Sequence, residues 1–559
     1  MHLFDLSINI LTFLFIYLII FLSISGYGVI FSSVINYSLK NIFDSYFIGL
    51  PIVTLFSFII YLTFGFNDYF NILFLLLGVF FFIRKKNSKK YSSIFLILFF
   101  FLGIVISKSH DDFGVYHFQH VKEIYNSKNY IGIANLDFRY SYSTMLVYVQ
   151  ALFKLPFYEY KFIQIPIYLI YVSFIGYIFS SINLTRDKIF SYLKLVIIFL
   201  LILKFHRFSK HGFDFAGQFI SLLIFFKIFE NKNNLFKEKL LIIFFFIFLI
   251  FIKLNNIILF PLLLLLLNKE NLTSVIKNIK NNKILSLTIL LMVVLFFLNN
   301  FIKSGCLFIN IKSSCFNKEI ISWSLSSSDF LINVYGRLFD YVELVEIWSK
   351  AFFTQVHLDK DSYLSFTDLA WVKYWFKNHF IYRISDFLFI FTLINIVLFL
   401  FFRKNFTFKV RKNYIILIPL SFAIISIWFL KIPEFRFGFG YILIFLFSIF
   451  ISFFNIDIYI NKKFLIRCFL FLLIFFNSIN LLRIYDSLNE HNDHKFKNFP
   501  WYNLNVNLDY NTVNLGGNYS FVIPKNKDDF CWNAPTPCSL YPNVKFNEKF
   551  IYTIITKSD

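Results

Sequence analysis

The sequence predicts an all-α polytopic membrane protein of about fourteen transmembrane helices, and three observations carry that class. Hydrophobic residues fill 58% of 559 positions, and the mean hydropathy is +0.67. Long apolar runs recur over the whole length, which a soluble globular chain of ordinary composition does not sustain. Lys and Arg fall in short clusters between those runs instead of forming one basic face. The net charge of +22 therefore does not describe a nucleic-acid surface. Codon usage biased towards A and T accounts for part of it, since that bias favours Lys along with Phe, of which there are 86. Gly, Ala, Pro and Arg run against the bias and cluster in "GIANLDFR", "HGFDFAGQ", "PEFRFGFG" and "CWNAPTPC". The abundant Phe and Tyr read as lipid-facing bulk.

Breaking the chain at its polar clusters gives spans of about 15 to 23 residues. The first, Ile8–Ile30, has no Lys or Arg ahead of it and reads as a retained span, not a signal peptide. Phe47–Phe66, Tyr69–Ile83 and Ser92–Ile106 follow. Next come Tyr160–Ile182, Phe190–Leu203, Phe215–Phe229, Leu240–Ile252, Leu254–Leu267 and Ile284–Ile302. The last four are Ile384–Phe402, Tyr414–Leu430, Phe439–Phe454 and Phe464–Asn480.

The loops "RKKNSKK" (84–90), "KENLTSVIKNIKNNK" (269–283) and "RKNFTFKVRK" (403–412) are rich in Lys and Arg and belong in the cytoplasm. Alternation then puts 108–160, 303–383, the N-terminus and the tail from Leu481 outside. Cysteine usage agrees. Cys306 with Cys315 and Cys531 with Cys538 are two close pairs on the side called external, where disulfides persist. Each closure contributes about 2 to 3 kcal/mol locally. Their spacing is not that of the usual zinc pairs.

The densest set of ionisable groups is "KSHDDFGVYHFQH", Lys108 to His120, directly after the fourth span. It holds three histidines and two adjacent aspartates. The next residues put Tyr116, His120 and Glu123 on one helical face and His117, Val121 and Ile124 on another. "SYSTMLVYVQALFKL" begins a second amphipathic stretch. The expectation is two helices lying in the membrane interface behind an acidic pair.

On these residues the chain resembles the GT-C superfamily of membrane glycosyltransferases. Members carry an acidic motif in an external loop flanked by interfacial helices, and use sugars linked to polyprenyl phosphate. The resemblance implies a seven-span module over 92–302, with external loop 108–159 after its first span and the long external loop 303–383 after its seventh. Three spans in 1–91 precede it, a departure from that pattern; four spans in 384–480 and an external segment, 481–559, follow. The wording "YHFQ", "GIANLDFRYSYS", "SGCLF", "PEFRFG" and "CWNAPTPC" also resembles a bacterial family of uncharacterised multi-spanning membrane proteins.

The implied chemistry moves a sugar from the lipid-linked donor to a cell-envelope glycan or lipid-linked acceptor, outside the cytoplasmic membrane. A carboxylate can take the acceptor's proton, and a cation or metal can steady the departing phosphate. Asp111 and Asp112 are the candidate catalytic residues. A divalent metal is a possible helper, with Asp111, Asp112, His110, His117 and His120 as candidate ligands. For the donor phosphate the candidates are Arg139, Arg207, Lys210, His211 and Arg436. Two alternatives stay open: an O-antigen polymerase or ligase type of enzyme using "HRFSKHG", and a transporter or flippase. No P-loop, GxSxG or HExxH occurs.

Overall fold

The structure is a computed structural model that describes residues 3–84, 90–106, 112–127, 129–142, 144–156, 158–182, 187–208, 212–230, 236–266, 272–309, 311–334, 337–351, 369, 371–456, 461–489, 509–514, 520–525 and 531–557. Helices dominate. Those used below are α1 (Leu3–Val34), α2 (Ile42–Thr63), α3 (Asp68–Arg84), α4 (Phe118–Asn126), α5 (Leu146–Leu152), α6 (Ile165–Ser181), α7 (Lys188–Leu203), α8 (Asp214–Glu230), α9 (Phe236–Ile252), α10 (Lys283–Ser304), α11 (Ser385–Phe402), α12 (Leu417–Lys431), α13 (Phe435–Phe453) and α14 (Lys462–Asn489).

Among the described residues, seven helices are long and apolar enough to cross a membrane, so the expected fourteen spans are not found. The seven are Ser7–Val34, Ile42–Thr63, Lys283–Ser304, Trp371–Asn405, Lys412–Lys431, Phe435–Phe453 and Lys463–Asp486. The discrepancy has a physical cause. Helices α6 to α9 have 16 or 17 residues each, and other helices bury most of their side chains. They are apolar because they form a protein interior, and hydropathy does not separate that from lipid. Ser92–Ile106 breaks near Phe100 into two short helices, and Leu254–Leu266 is mostly 3₁₀ turn.

Close backbone approach starts the bundle. An added Cβ on Gly28 would overlap the Ser45 carbonyl, and one on Gly49 the Ile24 carbonyl, so α1 and α2 meet through their glycines. Tyrosines join further helices. Hydroxyls of Tyr17, Tyr46, Tyr168 and Tyr171 donate to the carbonyls of Ile97, Pro166, Phe100 and Leu201 at 3.2, 2.7, 2.6 and 3.0 Å. These rings are buried, which corrects the reading of Tyr as lipid-facing bulk.

Charges fasten one end of the bundle. Lys194 Nζ reaches Glu230 Oε1 at 2.6 Å, and Lys227 Nζ reaches Asp44 Oδ1 at 2.6 Å, all four side chains being buried. Tyr177 donates to Glu230 Oε2 at 2.7 Å. Helices α2, α6, α7 and α8 are thereby tied together.

The other end brings together described parts of several loops expected outside. Lys154 pairs with Asp68 at 2.8 Å, Lys204 with Asp386 at 2.7 Å, and Gly132 N–H donates to Ile302 O at 2.7 Å. Here the chain departs from all-α. Segment 303–383 contains the hairpin Leu331–Val334 with Arg337–Asp340, and Cys306 is bonded to Cys315 at its start. In the tail, β2 (Val544–Lys549) and β3 (Tyr552–Lys557) are antiparallel, and β3 pairs in parallel with β1 (Tyr130–Ile131).

The tail covers α4. Cys531 is bonded to Cys538, and Lys122 Nζ holds this loop through Asn533 O, Asn533 Oδ1 and Ala534 O at 3.2, 3.1 and 2.7 Å. Cys538 N–H donates to Glu123 Oε1 at 2.8 Å. Residues 118–124 of α4 and all of α5 are buried, so neither is the interfacial helix expected from amphipathicity. Burial pushes the Glu123 carboxyl up from 4.5 to about 7, against the opposing bonds from Cys538 and Gln119.

Two outcomes follow from these contacts. Glu230→Gln leaves Lys194 uncompensated and should cost about 3 to 5 kcal/mol. Thermal unfolding in detergent should show that loss, with much of it recovered in the apolar double variant Glu230→Leu, Lys194→Met. The tail contact should depend on pH, because an acid raised on folding favours the folded state below its unfolded value. Its contribution is full below about 4.5, falls as pH rises to about 7, and is level above that. Hydrogen-exchange protection of 531–541, corrected for intrinsic rates, should be higher at about pH 5 than at about pH 8. Glu123→Gln should abolish the difference.

Candidate functional site

The polar end of the bundle contains a chain of alternating charges built from four separate elements. Asp112 opens the helical segment after the predicted fourth span, and a π turn, Phe113–His117, connects it to α4. Arg436 lies in the first turn of α13, and its Nη1 donates to Asp112 Oδ2 at 2.9 Å. Its Nε lies 3.4 Å from Oδ2 of Asp214, the first residue of α8. Lys253, just past the end of α9, reaches Asp214 Oδ1 at 2.7 Å.

Aromatic rings hold the cations in place. The Arg436 guanidinium stacks 4.9 Å from both the Trp348 and Phe437 ring centres, and Lys253 Nζ lies 4.0 Å above Phe437. Side-chain exposure is 31% for Asp112, 12% for Asp214 and 10% for Arg436. Asp112 is thus the more exposed of the two carboxylates. Beside it, burial and then the Asp112 charge push the Tyr116 phenol well above its ordinary value, so it stays a hydrogen-bond donor.

A second polar group sits next to this chain. Glu434, one residue before α13, accepts from Arg383 Nη1 and has His379 Nδ1 2.6 Å from its Oε2. Burial works against ionisation there, but the His379 contact and the Arg383 and Arg436 charges hold the Glu434 carboxyl below the usual range. Glu434 and Arg436 are two residues apart yet face different partners: Arg383 and His379 for one, Asp112 and Asp214 for the other. Gly438 lies between them and the membrane interior. An added Cβ there would overlap the Trp428 indole, which donates to Glu434 O at 3.2 Å.

The predicted site residues divide as follows. Asp112 and Arg436 come together. Arg139 is part of a bidentate pair with Asp137, at 2.9 and 2.6 Å, and its guanidinium stacks over Tyr116. Its Nε and one terminal nitrogen are thus engaged by Asp137. His117 packs edge-on against Phe213, and His120 stacks on Tyr140, fully buried. Burial pushes the His120 imidazole well below its ordinary value, so it is neutral. Asp111, His110, Lys210, His211 and the Arg207 side chain lie outside the described residues.

A divalent metal does not fit the residues described. Among them, no three of His, Cys, Asp or Glu converge. His117 and His120 face different aromatic rings, and an Asp112 oxygen is taken by Arg436. Sequence reasoning missed Asp214, Lys253, His379 and Arg383. Lys253 had a visible signal, as the lone cation splitting two apolar runs, but it read as a boundary and not as a partner.

What this arrangement can do is present a carboxylate to a hydroxyl while two cations stand ready for a developing negative charge. No curated protein and no solved structure matches the chain. Residues 10–443 match the family model described as a domain of unknown function, DUF8201, so Asp112, Asp214, Lys253 and Arg436 fall inside the match and the disulfide-closed tail falls beyond it. The match covers well over half of the 559 residues, and the chain belongs to the DUF8201 family.

Proposed function

We propose that the protein is a membrane glycosyltransferase that moves a sugar from a polyprenyl-phosphate donor to a cell-envelope glycan or lipid-linked acceptor. The reaction takes place on the external side of a bacterial cytoplasmic membrane. One observation carries this reading: Asp112, part-exposed at the polar end of a bundle of apolar helices, is held 2.9 Å from the buried Arg436. A carboxylate and a guanidinium at that level suit a substrate with one end in lipid and the other in water.

Asp112 accepts the proton of the acceptor hydroxyl as that oxygen attacks the anomeric carbon. The bond from that carbon to the donor's phosphate oxygen breaks, and polyprenyl phosphate leaves with the electron pair. Arg436 and Lys253 are the cations assigned to steady the phosphate's added charge. Asp214 holds both cations and keeps Arg436 aimed at Asp112 when the lipid has gone. Tyr116 supplies a neutral donor beside the carboxylate.

The test measures transfer from labelled polyprenyl-phosphate sugars in membranes. Asp112→Asn preserves size and leaves Arg436 its Asp214 partner, so protein levels should match wild type. The rate should fall by roughly 10² to 10⁴. Full activity in that variant would sink the assignment and bring forward the polymerase or ligase reading, with Arg207 and His211 first to be replaced. Sidedness has its own check: reporter fusions after Lys280 should read cytoplasmic, and fusions after Asn129 and Ser558 external. A cytoplasmic signal at Asn129 would remove Asp112 from the lipid donor's side.

A further inference from the structure

The tail beyond the family match carries the antiparallel pair β2 and β3, joined through the turn Phe550 and Ile551. Phe550 is 95% exposed, the most exposed large apolar side chain among the described residues, and Ile551 beside it is exposed as well. The backbone makes this choice of residue unusual. Phe550 has a φ of 57°, in the left-handed region, where Gly or Asn is the ordinary residue of a two-residue hairpin turn. A bulky ring thus projects from the protein on a backbone that disfavours it, and neither core packing nor turn chemistry accounts for it.

Strand β3 fixes the level of the turn. Tyr552, directly after it, donates its hydroxyl to Leu62 O at 3.2 Å, in the last turn of the membrane-crossing α2. Thr553 pairs with Tyr130, whose carbonyl accepts from Tyr61 of the same turn at 3.1 Å. Further along, Ile555 O accepts from Asn135 at 3.0 Å, and Gly132 N–H bonds Ile302 O near the end of α10, another span. β3 therefore lies across the ends of two spans, where hydrocarbon gives way to headgroups, and the Phe550 turn continues past α2. Exposed apolar surface continues below that level. Phe64, just after α2, and Tyr69, in the first turn of α3, are 78% and 88% exposed. From Tyr69 an exposed face runs down α3 through Leu73, Leu76, Phe80 and Ile83. Phe74, Gly78 and Phe82 are buried, and Tyr27 of α1 donates to Phe74 O at 2.8 Å. The exposed stripe, on a helix packed against a span, faces lipid, and aromatic rings at its head are placed as in an interfacial belt. Lys549 and Glu548 bear opposite charges beside the turn, so apolar side chains and not net charge carry the contact.

We propose that the Phe550–Ile551 turn inserts into the lipid leaflet beside α2 and α3 and anchors the tail that covers α4. Its partner is the boundary between headgroups and acyl chains, and burial of the ring there offsets the backbone cost of Phe at that position. The proposal does not depend on the glycosyltransferase reading.

The test uses the full-length protein in phospholipid vesicles, with Phe550 replaced by its photoreactive benzoyl analogue. Irradiation should attach a phospholipid at position 550. A cross-link to the chain's own residues overturns the proposal, and one to a second copy overturns it in favour of a contact between copies. A second variant separates the anchor from the turn. Asn suits the left-handed backbone, so Phe550→Asn should slow amide exchange of 544–557 in amphipol, where there is no bilayer. In nanodiscs the same change removes the anchor and should speed that exchange about tenfold, after correction for intrinsic rates. Exchange that does not rise in nanodiscs overturns the insertion. Should the Asn variant misfold, the label from the benzoyl analogue still decides.

Discussion

An ion in apolar surroundings must find an opposite charge, and the architecture depends on that constraint. Stranding one costs several kcal/mol, more than most single packing contacts supply. At one end of the bundle Lys194 meets Glu230 and Lys227 meets Asp44. At the other, Asp112, Arg436, Asp214 and Lys253 alternate in sign. Phe, Leu and Ile alone would tolerate many registers, since apolar cores accept repacking when volume is conserved. Each pair selects one rotation and one depth for the helices that carry it. The candidate chemistry therefore occupies groups that the fold needs anyway, and Asp112 is the most exposed of them.

Some of this was legible in the sequence, and the limits have physical reasons. Composition was enough for the membrane class, and both cysteine pairs are bonded as spacing and sidedness suggested. Asp112 and Arg436 were each singled out, but 324 residues separate them and no local pattern encodes their meeting. The span count came out double because hydropathy measures departure from water and not destination. Helices α6 to α9 leave water for other helices. Periodicity in α4 was genuine, yet what lies against its polar face is a tail more than 400 residues downstream.

That tail changes the character of the loop it covers. Lys122 and Glu123 are neighbours on α4 and, in a short isolated helix, would be solvated. Here the 531–538 loop accepts three bonds from one and donates to the other. Asn135 Nδ2 adds a bond to Ile555 O at 3.0 Å, and Lys557 reaches Asp329 at 2.9 Å. Segments 112–142 and 303–340 thus share a common lid. A loop held from above in this way can carry a precise carboxylate without a long helix beneath it.

Helix α8 begins at Asp214 and ends at Glu230, and each of these carboxylates is bound to a lysine. Sixteen steps along an α-helix rise about 24 Å, less than the ~30 Å hydrocarbon thickness of a bilayer. The polar layers at the two ends of the bundle centre are therefore closer together than the headgroup planes of the lipid around it. Either the bilayer thins beside the protein or the site floor sits a few ångströms below the headgroups, and mismatch energies of a fraction of a kcal/mol per ångström permit both. In each case the Arg436 layer is within reach of lipid headgroups from the side and of water from above.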